Sequence, residues 1–258
     1  GRFGRVRMIQ AMNFTDFLYR PRRPEELDTT KGGGVVFSQA AHQIDIVRLL
    51  AGGEVASVYA RTGGWDRQRP TEGAYTAILN FRSGAFASVT YNGYGFFDTD
   101  PWMGGVGEMG WPKNTDTHRL TREKYVSTQD EIAEARRKAN RNFGGPDYVP
   151  DLGSAPAAFQ HFGPVIACCE QADLRLTPYG VEIHDIHGVH LDALPPQAVQ
   201  RSEVVDEMWS VAREGAAPTH SGAWSMATME VCLAILESSK KGDAIILEHQ
   251  AAVPAIRR

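Results

Sequence analysis

His42 and Asp45 are three residues apart, and Ser38 lies four residues before the histidine. On a helix this spacing puts a hydroxyl, an imidazole and a carboxylate along one stripe. A carboxylate beside an imidazole can fix its tautomer and stabilise its protonated form, which suits a general base. The plain alternative is a hydrogen-bonded core histidine. Arg20, Arg22 and Arg23 sit just upstream, interleaved with Pro21 and Pro24 and close to Glu25, Glu26 and Asp28. Guanidinium groups pair carboxylates through two parallel hydrogen bonds, so these arginines suggest a clamp for an anionic small molecule. Otherwise they belong to a solvated basic loop. Arg67 and Arg69 could add to either.

Two other constellations carry less. Gly105-Val106-Gly107-Glu108-Met109-Gly110 spells G-x-G-x-x-G. A dinucleotide fingerprint needs a buried strand before it and a helix after it, so that the pyrophosphate meets a helix N-terminus. Here Asp98, Asp100 and Pro101 precede the run and Trp111-Pro112 follow it, so a glycine-rich loop is expected. His184, His187 and His190 resemble a metal cluster, but neighbours three apart on a strand point to opposite faces. Surface histidines on a hairpin are expected, and no metal or cofactor ligand is assigned to this chain. Cys168, Cys169 and Cys232 form no disulfide framework and fit a reducing, cytoplasmic setting.

The elements that must hold these residues can be read from hydrophobic period. Val36, Ala40, Ile44, Val47 and Leu50 or Ala51 make one helical face, which Gly52-Gly53 ends. Strands are expected at Val6 to Phe14, Val55 to Arg61, Ala74 to Phe81 and Ala85 to Tyr91. The last two form a hairpin across Arg82-Ser83-Gly84. About Gly95 to Gln160 reads as a loop-rich excursion. It holds one helix, near Thr128 to Ala139, with Thr128 and Glu131 as a capping box. Strands resume at Phe162 to Glu170, Leu174 to Thr177, Val181 to Asp185 and Val189 to Leu191. A helix at about Ser202 to Glu214 carries Val205, Met208, Trp209 and Ala212 on one face. A helix at about Gly222 to Ser239 is apolar over more than half its circumference and is expected to be buried. A short strand closes at Ala244 to Leu247. Strands dominate and few are separated by single helices, which predicts an α+β fold: an open, largely antiparallel β-sheet with helices on one face.

Composition narrows the function. The chain has 258 residues, 42% of them hydrophobic and 22% charged, enough for a sizeable core. Its 27 basic and 31 acidic residues give a net charge of -4, which argues against a nucleic-acid binder. No apolar run approaches the ~20 residues that span a bilayer, and no signal-peptide core is visible, so no membrane partner is expected. The chain opens without methionine, from which a start inside a longer protein or after a cut is expected.

The run Gly32-Gly33-Gly34-Val35-Val36-Phe37-Ser38-Gln39-Ala40-Ala41-His42-Gln43-Ile44-Asp45 resembles the G-G-G-x-x-x-D-x-G-x-H-x-x-D segment of the glucose–fructose oxidoreductase / inositol dehydrogenase / MocA family. The opening Phe-Gly-Arg-Val strand, the hairpin, and Pro218 with Ser221-Gly222 between the closing helices agree with it. The resemblance covers nearly the whole chain, as that family's C-terminal, dihydrodipicolinate-reductase-like domain. A narrower likeness is to phthalate cis-4,5-dihydrodiol (4,5-dihydroxyphthalate) dehydrogenases. It rests on Tyr19 to Pro24, on Tyr91-Asn92-Gly93-Tyr94-Gly95-Phe96-Phe97 and on His161-Phe162-Gly163.

The resemblance implies that residues 1–258 are a substrate-binding and oligomerisation domain. NAD or NADP would bind mainly to an N-terminal Rossmann domain absent from this chain, which alone would be inactive. The full protein would oxidise a carboxylated aromatic cis-dihydrodiol by hydride transfer. The family's histidine falls on His42 and the following aspartate on Asp45. Its earlier aspartate falls on Ser38, which cannot serve as a carboxylate base. Ser38, Tyr91 and Asn92 join the arginines as substrate-binding candidates, and homo-oligomers are expected through the open sheet face. The rival readings are a sugar or inositol dehydrogenase of the same family and a non-catalytic binding or oligomerisation module.

Overall fold

In a computed structural model, which describes residues 1–127, 130–149, 155–156, 158–199 and 201–253, strand β1 (Val6–Phe14) runs through the middle of one sheet. On one side lie β4 (Phe86–Asn92), β3 (Ala74–Phe81), β2 (Val55–Gly63) and β9 (Ile245–Ile246). On the other lie β5 (Val165–Cys169), β6 (Asp173–Thr177), β7 (Gly180–Asp185) and β8 (Gly188–Ala193). Neighbours pair antiparallel except β1 and β4, which run parallel with Met8 opposite Phe86. The expected largely antiparallel α+β fold is therefore present, and the hairpin across Arg82-Ser83-Gly84 is β3–β4. The parallel pair arises because helix and β2 intervene between β1 and that hairpin, and such a crossover can return the chain in the same direction.

Alternation along the strands decides which face is covered. Ile9 and Ala11, Val58 and Ala60, Tyr75, Ala77 and Leu79, and Ala87, Val89 and Tyr91 are buried. They pack with Ile44 and Val47 of α1 (Ala41–Ala51) and Val231, Cys232 and Ile235 of α5 (Gly222–Lys241) in one core. Tyr59, Ile78, Phe86 and Ile166 stay exposed on the opposite face. Helix α5 is not buried all round: Met226, Met229 and Leu233 are exposed, because its apolar circumference exceeds what the sheet can cover. The expected face of α4 (Ser202–Glu214) is also exposed at Val205, Met208 and Trp209.

The excursion holds two helices, α2 (Thr117–Ser127) and α3 (Glu131–Arg141). Helix α2 escapes the sequence reading because Leu120 and Val126 are exposed and only His118 is buried, so no apolar stripe marks it. Helix α3 is capped by Asp130, whose side chain accepts from Ala133 N, while Thr128 of the expected capping box lies outside the described residues. Glu134 pins α3 to the body, accepting from Arg69 at 2.8 Å and from the Arg22 backbone N–H at 2.7 Å.

Candidate active site

The glycine run sets the entry to α1. Gly34 has φ 86°, and a Cβ there would collide with the Glu72 carboxylate. Glu72 Oε1 accepts from Val36 N at 3.1 Å, and its other oxygen accepts from Thr29 and Thr71. From Val36 to Ala40 the chain winds as one wider π turn before α1 begins, a local form often met at functional sites. The Ser38 hydroxyl donates back to the Gly34 carbonyl. Ser38 therefore falls out of phase with His42 and does not line the cleft described next.

That cleft has a volume of about 760 Å³. Helix α1 gives it His42 and Asp45, the loop before it Arg20, and α5 Thr228. Glu108 and Met109 enter from the glycine-rich loop, His161 and Phe162 from the approach to β5, and Arg201 and His220 from the two ends of α4's surroundings. His42 is exposed to the cleft rather than set in the core. Its ring lies 5.4 Å from that of Phe162, behind which Tyr91 stacks at 5.9 Å and Tyr75 beyond it at 6.2 Å. Neither ring nitrogen of His42 has a hydrogen-bond partner among the described residues.

The other two histidines are engaged. His161 donates from Nε2 to the Val106 carbonyl at 2.9 Å and accepts the Gly163 N–H at Nδ1 at 3.1 Å, which uses both nitrogens of one tautomer. His220 places Nε2 3.3 Å from Asp45 Oδ2 and Nδ1 3.6 Å from Glu207 Oε2. The other Asp45 oxygen accepts from the Trp224 indole N–H and from Thr228 Oγ1 at 3.2 Å. Asp45 thus bonds to His220, Trp224 and Thr228, and not to His42. Burial favours protonation of Glu207, but the Thr219 and His220 backbone N–H groups bonded to it overrule this and hold its carboxyl below the usual range.

Of the three loop arginines, Arg20 alone lines the cleft. Its Nε donates to Asp16 at 2.7 Å and Nη1 lies 3.6 Å from Glu108. Burial opposes its charge, yet Asp16 and Glu108 together raise its guanidinium above the ordinary value. Arg22 is buried elsewhere, stacked 3.5 Å over Phe17 and donating to the Phe17 carbonyl. Arg23 pairs with Glu25 and Glu26 on the surface. Tyr91 is fully buried, its hydroxyl 2.8 Å from Thr15 Oγ1, and reaches the cleft only indirectly, through Phe162 and through a 3.3 Å hydrogen bond to Gln39 Oε1. Asn92 lies off the cleft and accepts the Tyr94 N–H at 2.9 Å.

Four ionisable cleft residues had no role in the sequence reading. Glu108 lies inside the discounted glycine run, which is a loop bridged from Val106 to Pro112, with no strand entering it and no helix following directly. His161 opens a quoted motif, and His220 stands between Pro218 and Ser221, so both had a signal. Arg201 had none. His184 pairs with Glu182 at 2.8 Å on β7, and His187 and His190 are exposed; among the described residues no three His, Cys, Asp or Glu side chains are grouped to hold a metal. The three cysteines are unpaired.

Fold and cleft together define a domain with one helix-covered sheet face, one open face, and a pocket at the start of the covering helix. Residues 1–111 match the GFO/IDH/MocA C-terminal domain. The chain is 40% identical over 240 residues to the 1-carboxy-3-chloro-3,4-dihydroxycyclohexa-1,5-diene dehydrogenase of Comamonas testosteroni, covering 93% of this chain and 60% of that protein. A crystal structure from Bordetella bronchiseptica RB50, of a protein assigned as a dehydrogenase, superposes with TM-score 0.85 at 38% identity, over 96% of this chain and 64% of that one. An Agrobacterium radiobacter oxidoreductase, solved with NAD+, L-tartaric acid and magnesium, shares the fold at TM-score 0.57 and 15% identity, over 95% of this chain and 57% of its own. The resemblance read from the sequence is borne out: residues 1–111 match that family's C-terminal domain, and the chain is similar along most of its length to a dihydrodiol dehydrogenase. The chain spans under two thirds of the length of the relatives just named.

Proposed function

We propose that this chain is the substrate-binding and oligomerisation part of a nicotinamide-dependent dehydrogenase that oxidises a carboxylated aromatic cis-dihydrodiol of the phthalate type. One observation carries the reading: His42 lines a cleft that also holds guanidinium groups, and neither of its ring nitrogens is bonded to a described residue. The Comamonas relative supports it, since its name describes a carboxylated dihydroxycyclohexadiene. A nicotinamide nucleotide, NAD or NADP, would accept the hydride. The relatives are longer than this chain, and in this reading the nucleotide binds mainly to sequence outside it, so that the chain by itself would be inactive.

Within that scheme His42 accepts the proton of the reacting hydroxyl. Phe162 supports the ring from one side, while Asp45, bonded to Trp224 and Thr228, fixes the turn of α1 that carries it. Arg20 meets an anionic group of the substrate. The exposed Tyr59, Ile78, Phe86 and Ile166 would form the face shared between identical subunits in a cytoplasmic homo-oligomer. The deciding experiment is competitive inhibition of the full-length enzyme by phthalate and by myo-inositol. Inhibition by phthalate alone supports the dihydrodiol reading, whereas inhibition by inositol alone would replace it with a polyol dehydrogenase.

A further inference from the structure

Two arginines line the cleft, and they are not equivalent. Arg20 is already matched by Asp16 and Glu108. The Arg201 guanidinium has no carboxylate partner among the described residues; its recorded contact is Nη2 to the Met109 sulfur at 3.9 Å. Its backbone is also singular. Arg201 stands at the N-cap of α4 with φ 58° and ψ 28°, and is the one non-glycine residue with positive φ among the described residues. Residues with a Cβ reach that region at a cost, and such outliers concentrate at ligand sites. The conformation holds an unmatched cation beside an apolar wall of Met109, on a cleft shared with His42 and Phe162.

We propose that Arg201, rather than Arg20, is the residue that receives the ring carboxylate of the substrate. This rests on the dihydrodiol reading above. Its planar fork pairs a carboxylate through two N–H donors, while the ring lies against Met109 and Phe162. The hydroxyl-bearing carbon is thereby turned toward His42. Arg20, neutralised in place, shapes the wall and meets a second carboxylate where the ring carries two. A guanidinium could equally take a nucleotide phosphate, so the test separates the two anions.

The test is steady-state inhibition of the full-length enzyme by phthalate, benzoate and catechol, together with the nucleotide KM, in wild type, Arg201→Met and Arg201→Lys. Arg201→Met should raise the inhibition constants of phthalate and benzoate on the order of tenfold, with that of catechol within about twofold and the nucleotide KM unchanged. Arg201→Lys should recover part of the loss. Unchanged phthalate inhibition, equal weakening of all three probes, or a raised nucleotide KM overturns the assignment. A wild-type enzyme inhibited by none of the three aromatic probes instead removes the dihydrodiol reading, and the assignment with it.

Discussion

Asp45 and His220 are joined across the edge of the cleft, Oδ2 to Nε2 at 3.3 Å, although they stand 175 residues apart. Through this bond, and those from Trp224 and Thr228, the carboxylate ties α1 to α5 and to the turn that follows α4. The histidine nearest Asp45 in sequence is not its partner. His42 thus lines the cleft beside Phe162, with neither ring nitrogen bonded to a described residue.

That asymmetry predicts unequal losses of stability. Asp45→Ala strands the indole N–H of the buried Trp224 and should cost about 1–3 kcal/mol. His220→Ala removes a side chain that is 58% exposed and should change stability by less than about 1 kcal/mol. Urea denaturation of both variants measures the difference; equal losses would contradict the view of Asp45 as the hub.

His42→Ala should lower kcat of the full-length enzyme on the order of a hundredfold while the inhibition constant of phthalate stays near that of the wild type. Stopped-flow reduction of the nucleotide, with the variant shown folded by circular dichroism, reads this directly. An unaltered kcat would remove His42 from proton transfer.

Arg48 is fully buried, lies 3.9 Å over the Trp224 ring, and donates to the Gly53 and Trp224 carbonyls at 3.0 Å each and to Thr228 Oγ1 at 2.6 Å. Burial pushes its guanidinium down to about 10, with Asp45 pulling the other way. Arg48→Ala leaves these three acceptors and the Ala251 carbonyl, 3.2 Å from Nη2, without this donor and opens a cavity, at an expected cost of about 3 kcal/mol, visible as a lowered Tm by calorimetry. Arg48→Lys should recover only part of it, because an ammonium cannot reproduce the fork.

Acid should unfold the chain in two stages. His118 is 3% exposed and its Nδ1 has no partner; burial first, then Lys113 and Arg20, lower its basicity against the pull of Asp16 and Asp98. The folded state then binds a proton less readily than the unfolded chain, so stability is complete above about 6.5 and falls as pH drops below it. For Asp16, burial favours protonation, but Arg20 and the hydrogen bond from Thr121 outweigh it and lower its value. Its contribution is present above about 4 and is lost below that. Urea midpoints measured from pH 8 to pH 3 should show both declines, and His118→Gln should remove the first.

Much of the frame was legible in the sequence because local rules coincide with tertiary demands. Strand β1 and the β3–β4 hairpin fall within a residue of the pattern-based bounds, since their alternation is the buried and open faces themselves. The cleft was legible only at His42, Asp45 and Arg20. Its other walls come from residues far apart in sequence whose local context is a loop, and spacing cannot say which loops converge. The π turn at Val36–Ala40 also breaks the period on which Ser38 was placed. Arg22 illustrates the same limit: its charge suggested a ligand, whereas a carbonyl and an aromatic face from Phe17 claim it.

The central strand has a further consequence, in the order of assembly. Met8 of β1 pairs with Phe86 on one edge and Cys168 on the other, so the strand precedes both neighbours by long stretches of chain. The hairpin of β3 and β4 and the meander of β5 to β8 each close over short loops and can form early. Strand β1 must wait, with both rows of backbone groups unpaired, until two distant segments arrive. Long-range pairing of this kind is slow and leaves a strand open to aggregation. The strand that joins the two halves of the sheet is therefore the first in chain order, and refolding yield should depend on protein concentration more than the stability of the finished domain would suggest.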